Sequence, residues 1–278
     1  MKFIKVLWFD LKNGYFKGVS CYIFPLFIAI IGFFELHRRI AIWGTEVALG
    51  DYWMYLYGGM KEYIPTTGNP FQFPTMWIAV FLFSSFAVLN YPMKDLQNMG
   101  TQILVHVQGR TKWWISKCLW NVLSTVLYHG IILLVLVILC ICFQEPLSFE
   151  AHADSIATMF GLWVSEFRGG GVIPIAVILT PVILSIAINL LQMVLLLFTK
   201  PVFSFLVICI MMLSSAYFLS DIMIGNFAMP IRYEWAIENG VSYQKGLLFS
   251  FGILFIAFIC GIMKFRRYDI LNKEEGST

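Results

Sequence analysis

The side chains able to do chemistry concentrate in residues 92–117, PMKDLQNMGTQILVHVQGRTKWWISK, and what they offer is recognition rather than catalysis. Met93, Leu96, Met99, Ile103 and Val107 step by three and four residues, which predicts a helix running through Val107. Asp95, Gln97, Asn98, Gln102 and His106 then fall partly off its apolar stripe. Gly109 is suited to end that helix, Arg110, Thr111 and Lys112 to meet headgroups, Trp113 and Trp114 to sit at a membrane interface, and Lys117 to mark the base of the next span. The stretch reads either as a docking surface or as an ordinary hairpin between two spans. Reactive constellations are missing elsewhere. There is no H-E-x-x-H, no G-x-S-x-G and no carboxylate pair inside a span, so His37, His106, His129 and His152 read as structural hydrogen-bonders. Cys140-x-Cys142 lacks a second pair at metal-ligand spacing.

The elements that must position this stretch are membrane spans. With 59% hydrophobic, 17% aromatic and 13% charged residues, the composition is far from the roughly one-quarter charged mix of a soluble domain. Six runs are apolar enough to cross a hydrocarbon core of about 30 Å: 18–35, 73–90, 118–143, 172–198, 201–220 and 246–263. Between their ends they hold no Asp, Glu, Lys or Arg, each of which costs about 2.5–3.5 kcal/mol at mid-bilayer. The runs lack two-residue alternation, which points to an all-α polytopic protein and not a barrel. All six cysteines fall within or at the edges of these runs and read as small buried hydrophobes.

Placing both termini in the cytoplasm puts thirteen of the nineteen Lys and Arg residues inside, as the positive-inside rule demands. The outside then keeps Arg38, Arg39, Lys61, Arg168, Arg232 and Lys245 among eleven carboxylates. Residues 1–17 read as an amphipathic helix on the inner leaflet, with Ile4, Leu7, Trp8, Leu11 and Tyr15 as its apolar stripe. No small-residue cleavage pattern follows the first run, so that span is expected to be retained.

The extracytoplasmic segments are 36–72, 144–171 and 221–245. In the first, 49–59 is expected to enter the outer leaflet shallowly. In the second, Ile156, Met159, Phe160, Trp163 and Phe167 predict a flat external helix with Asp154 as N-cap and Gly169-Gly170-Gly171 as its stop. The third is expected to be turns and short helix. One membrane domain fills residues 1–278, and no inside segment is large enough for a catalytic domain. Inside the spans, Asn121, Thr125 and Tyr128, with Ser124 and His129 beside them, form one polar stripe, and Ser185, Asn189 and Gln192 form another, with Pro174 and Pro181 bending the outer half of the fourth span. Each stripe is a candidate lining of a translocation path or subunit seam, or simply interhelical hydrogen bonding worth about 0.6 kcal/mol per contact.

The run QGRTKWWISK at 108–117 and, more loosely, GDYWMYLYGG at 50–59 and GNFAMPIR at 225–232 resemble runs in the membrane subunits of bacterial ABC type-2 exporter permeases. The whole arrangement of elbow helix, six spans and helical second-to-third-span connection is similar to that family. The resemblance implies that this connection is a coupling helix seated in a groove of a separate ATPase. Its docking residues would then come from Lys94, Asp95, Gln97, Asn98, Gln102, His106 and Arg110. It also implies a second permease subunit, identical or similar, and a cargo of peptide (antimicrobial ones included), lipid or drug-like molecule crossing the inner cell membrane. The chain lacks a G-x-x-x-x-G-K-[ST] loop, so ATP and Mg are expected on the partner and no cofactor on this chain. The competing reading is a membrane sensor or assembly protein that holds a soluble partner through the same helix. An ion-coupled transporter is disfavoured by the lack of acidic residues deep in a span. Nucleic-acid binding has no support at a net charge of +3 spread along membrane edges.

Overall fold

The computed structural model describes residues 2–66, 70–96 and 109–268, and is built almost wholly of helices. In chain order they are α1 (Lys2–Gly18), α2 (Ile23–Trp43), α3 (Leu49–Tyr57), α4 (Thr75–Leu89), α5 (Tyr91–Asp95), α6 (Arg110–Phe143), α7 (Ala153–Phe160), α8 (Ile175–Leu195), α9 (Pro201–Tyr217) and α10 (Tyr243–Arg266). A two-residue antiparallel ladder joins β1 (Glu150–Ala151) to β2 (Gly171–Val172), pairing Glu150 with Val172 and Ala151 with Gly171.

Five stretches are long and apolar enough to cross a bilayer: Val19–Trp43, Thr75–Asp95, Arg110–Phe143, Ile175–Leu195 and Tyr243–Arg266. The sixth expected run forms α9, whose 17 residues extend about 26 Å, at the short limit for a crossing. The bundle is organised around α8, which packs on α4, α6, α9 and α10, while α6 runs along α1 and α2.

Several helix ends differ from the apolar runs, because helices continue wherever their charges find partners. α2 extends two turns beyond residue 35: Arg39 Nη2 donates to Glu35 Oε1 at 2.5 Å one turn back, and Gly44 closes the helix in the left-handed conformation at φ 68°. α6 starts at Arg110 instead of 118, and buries Trp113, Trp114 and Lys117. Pro174 precedes α8 and initiates it, so only Pro181 lies inside that helix. The expected helix through Val107 lies outside the described residues.

The largest departure is α3. Its aromatic sequence suited a shallow interfacial helix, yet it is driven into the bundle, where only Tyr55 of its nine residues escapes burial. Tyr52 stacks on Phe33 of α2 at 4.4 Å between ring centroids, and the Tyr57 hydroxyl lies 2.7 Å from His129 Nδ1 in the middle of α6. Close approach requires glycine at its start: a Cβ on Gly50 would lie 2.2 Å from the Glu150 carbonyl oxygen. The external helix is also shorter than its apolar periodicity. α7 stops at Phe160 because Gly161 turns left-handed at φ 61°, leaving Trp163 exposed and Phe167 in a separate segment; His152, not Asp154, is the N-cap residue.

α1 packs on the bundle through one face. Val6, Asp10 and Gly14, spaced by four, are buried, whereas Ile4 and Trp8 of the apolar stripe are about 70% exposed. All six cysteines are free.

Candidate functional site

Three polar constructions sit in this apolar bundle, one at each end and one between. The first lies where α1, α5 and α6 meet. Lys117, fully buried on α6, donates to Asp10 of α1 and to Asp95 Oδ2 of α5, the latter at 2.6 Å. Ser116 Oγ donates to Asp10 Oδ2 at 2.5 Å and the Tyr91 hydroxyl to Asp10 Oδ1 at 3.1 Å. The ammonium also lies over the rings of Tyr91 and Trp113, at 4.6 and 5.0 Å from their centroids. Burial pushes the Asp10 carboxyl above its ordinary value against the pull of Lys117. One cation thus ties three elements together, one of which, α5, ends just before residues 97–108 in the chain.

That segment is bracketed on its other side by Arg110, whose Nη1 donates to the backbone oxygens of Arg266 and Tyr268 at 2.9 and 2.8 Å. Beneath it Trp113 stacks on Phe265 at 4.6 Å, and Trp114 covers Gly261 so closely that a Cβ there would lie 2.0 Å from the indole. Of the docking residues expected from the sequence, Asp95 is therefore turned inward onto Lys117, and Arg110 holds the end of α10. Lys94 is exposed. Gln97, Asn98, Gln102 and His106 lie outside the described residues.

The second construction is the seam between α4, α6 and α8. Asn189 is its centre: its Nδ2 donates to Thr125 Oγ1 at 2.9 Å and Ser84 Oγ at 3.2 Å, and its Oδ1 accepts from Ser85 Oγ at 2.8 Å. Ser84 and Ser185 hydroxyls meet at 3.1 Å, and Asn121 Nδ2 donates to the Asn189 carbonyl at 3.2 Å. The two expected stripes do converge, but inside one subunit. Asn121, Thr125, Tyr128, Ser185, Asn189 and Gln192 are each at most 2% exposed in this chain. Tyr128 and Gln192 stay out of the network, whereas Ser84 and Ser85 join it. These serines carried no signal, since two adjacent small hydroxyls in a short apolar run define no face. Asn189→Leu is expected to lower stability by roughly 1–2 kcal/mol, because it strands the Ser85 hydroxyl in a dry seam and removes the donor that Thr125 and Ser84 accept from. Thermal unfolding of the purified protein measures this, and an unchanged midpoint would remove the seam from the forces holding the bundle.

The third construction is at the opposite end. Arg232, fully buried, donates to the carbonyls of Met60, Lys61, Ser215 and Ala216 at 2.8, 3.2, 2.8 and 2.8 Å, and to Asn226 Oδ1. Ser215 and Ala216 are in the last turn of α9, where free carbonyls and the helix dipole favour a cation. Burial draws the guanidinium down to about 10, and it remains charged at neutral pH. Nearby, Asp51 caps its own helix through the Ala48 N–H at 2.9 Å and receives the His152 N–H at 2.9 Å, with His152 Nδ1 2.6 Å from Oδ2. Burial raises the Asp51 carboxyl, and these contacts pull it back.

Beside Arg232 opens a cavity of about 700 Å³ walled by Glu35, Arg39, Tyr55, Lys61, Glu62 and the start of α4. A second, apolar hollow of about 580 Å³ lies along α4 between α2 and α9. Among the described residues no group of three His, Cys, Asp or Glu side chains is placed to hold a metal ion.

Fold and polar sites together define a helical membrane protein whose charged groups are gathered at the two ends of an apolar bundle. Compared with protein-family models, curated proteins and solved structures, the chain gives no match.

Proposed function

We propose that this chain is the permease subunit of an ATP-driven exporter of the ABC type-2 kind. It works with a separate ATPase chain and a second permease subunit to move a peptide, lipid or drug-like molecule across the inner membrane of a bacterium. In this reading α9 crosses the bilayer as the sixth span, both termini are cytoplasmic, α1 is the inner-surface elbow, and ATP with Mg is bound by the partner. Lys94, Gln97, Asn98, Gln102 and His106 form the docking face, and Asp95 and Arg110 fasten its two ends to the bundle.

The observation that carries this reading is the fastening of the residues that flank 97–108 to the bundle. On one side Asp95 is bonded to Lys117, and through it to Asp10 of α1; on the other Arg110 grips the end of α10. A push on a segment held this way passes to α1, α6 and α10 together, which is what coupling to a moving ATPase requires. The exposed Lys94 gives the test. In a purified complex, Lys94→Glu is expected to leave the chain folded and to reduce cargo-dependent ATP turnover by about tenfold, a loss of about 1.4 kcal/mol in coupling. Full turnover in that variant would sink the docking assignment. Copurification with a soluble chain lacking nucleotide-binding motifs would instead favour a sensor or assembly role.

A further inference from the structure

The two hollows near α4 adjoin at Phe73 and Thr75, which line both, so a charged cavity and an apolar groove meet there. We propose that this site holds a bilayer phospholipid with a zwitterionic, amine-bearing headgroup, the head in the charged cavity and one acyl chain in the apolar groove. The inference concerns the isolated chain and stands apart from its coupling to an ATPase.

The cavity supplies both signs of charge at the end of the spans. Arg39, 2.5 Å from Glu35 and lying over the Tyr55 ring at 5.8 Å, and Lys61, which donates to the Gly161 carbonyl at 2.5 Å, are the cations. Glu35 and Glu62 are the anions. A phosphate bonds to the first pair and a primary ammonium to Glu62, whereas an anionic head without the amine sets its charge against that carboxylate, Glu35 being already bonded to Arg39. The groove is lined by Ile78, Ala79, Leu82 and Leu213 and contains no charge. Its far end is closed by Phe24 stacked on Phe83 at 4.4 Å and Phe86 edge-on to Phe205 at 5.9 Å.

Length decides the occupant. From Thr75 to Phe86 the groove follows eleven residues of α4, about 16 Å at 1.5 Å per residue, and one leaflet of a 30 Å hydrocarbon core is about 15 Å thick. With α4 crossing the bilayer from Thr75 onward, the groove spans one leaflet, as a single acyl chain does. A soluble peptide or a second copy of this chain has no reason to match that depth.

The purified chain, in detergent and without partner, is titrated with phosphatidylethanolamine or phosphatidylglycerol and retention is read by native mass spectrometry. One phosphatidylethanolamine per chain is expected to be held at a concentration about tenfold lower than phosphatidylglycerol. Ala79→Trp, which fills the groove, is expected to abolish that preference, and Leu134→Trp, on an exposed apolar position of α6, to leave it intact. Where Ala79→Trp fails to fold, Arg39→Gln combined with Lys61→Gln carries the test at the rim. That pair is expected to lower phosphatidylethanolamine retention about tenfold. Equal retention of the two lipids, or equal loss in the Ala79 and Leu134 variants, would mean ordinary annular lipid and overturn the proposal.

Discussion

Replacing Lys117 with methionine is expected to destabilise the folded chain by about 3–5 kcal/mol, because it leaves the Asp10 and Asp95 carboxylates buried without their cation. Both partners are at most 5% exposed, so water cannot screen the loss. Methionine preserves the length and most of the apolar stem of the side chain, which confines the effect to the charge. The triple variant Asp10→Asn, Asp95→Asn, Lys117→Met removes all three charges and is expected to recover most of the stability, since a buried ion cluster and a neutral replacement of similar shape differ little. Thermal unfolding in detergent separates the two cases. A single variant that melts with the wild type would show that the cluster does not bind α1 and α5 to α6.

Arg232→Met is the second large effect, again about 3–5 kcal/mol, but from the opposite kind of loss. Here no carboxylate is left behind; instead four carbonyls and the Asn226 amide oxygen lose their donor. The damage is local to the meeting of α9, the Met60–Lys61 segment and the Asn226 turn. Arg232→Lys keeps the charge yet presents three donors where five bonds are now made, so it is expected to recover only part of the loss. Hydrogen exchange checks the location: the amides of residues 224–232 and the end of α9 are expected to lose protection first, and protection lost instead around Trp113 would contradict the assignment.

The apolar runs were the legible part of this molecule. Charges are absent from the interiors of 73–90, 118–143, 172–198, 201–220 and 246–263, and helices occupy each of them. The polar stripes were legible too, because Asn121 and Thr125, and Ser185 and Asn189, repeat at the four-residue spacing that puts them on one face. What stayed hidden depends on contacts between distant parts of the chain. Asp10 and Lys117 are 107 residues apart, and a lysine at the foot of a span reads as an interfacial cation whether or not a carboxylate awaits it. In the same way, the tyrosines and tryptophan of α3 suit a membrane interface and a packed core equally, since an aromatic ring with a polar edge is at home in both. Contacts with distant segments, Tyr52 on Phe33 and the Tyr57 hydroxyl against His129, distinguish them.

The Asp10–Lys117 bond also sets a timetable. A ribosome adding 5–20 residues each second needs roughly 5–20 s to travel the 107 residues that separate the two. Asp10 has no lysine to receive throughout that interval, and Asp95, made 22 residues before Lys117, has none for roughly its last 1–4 s. Until residue 117 is made, both carboxylates lack the cation that makes their burial favourable, so the same bond that locks the base of the bundle ties the burial of α1 and α5 to the arrival of α6.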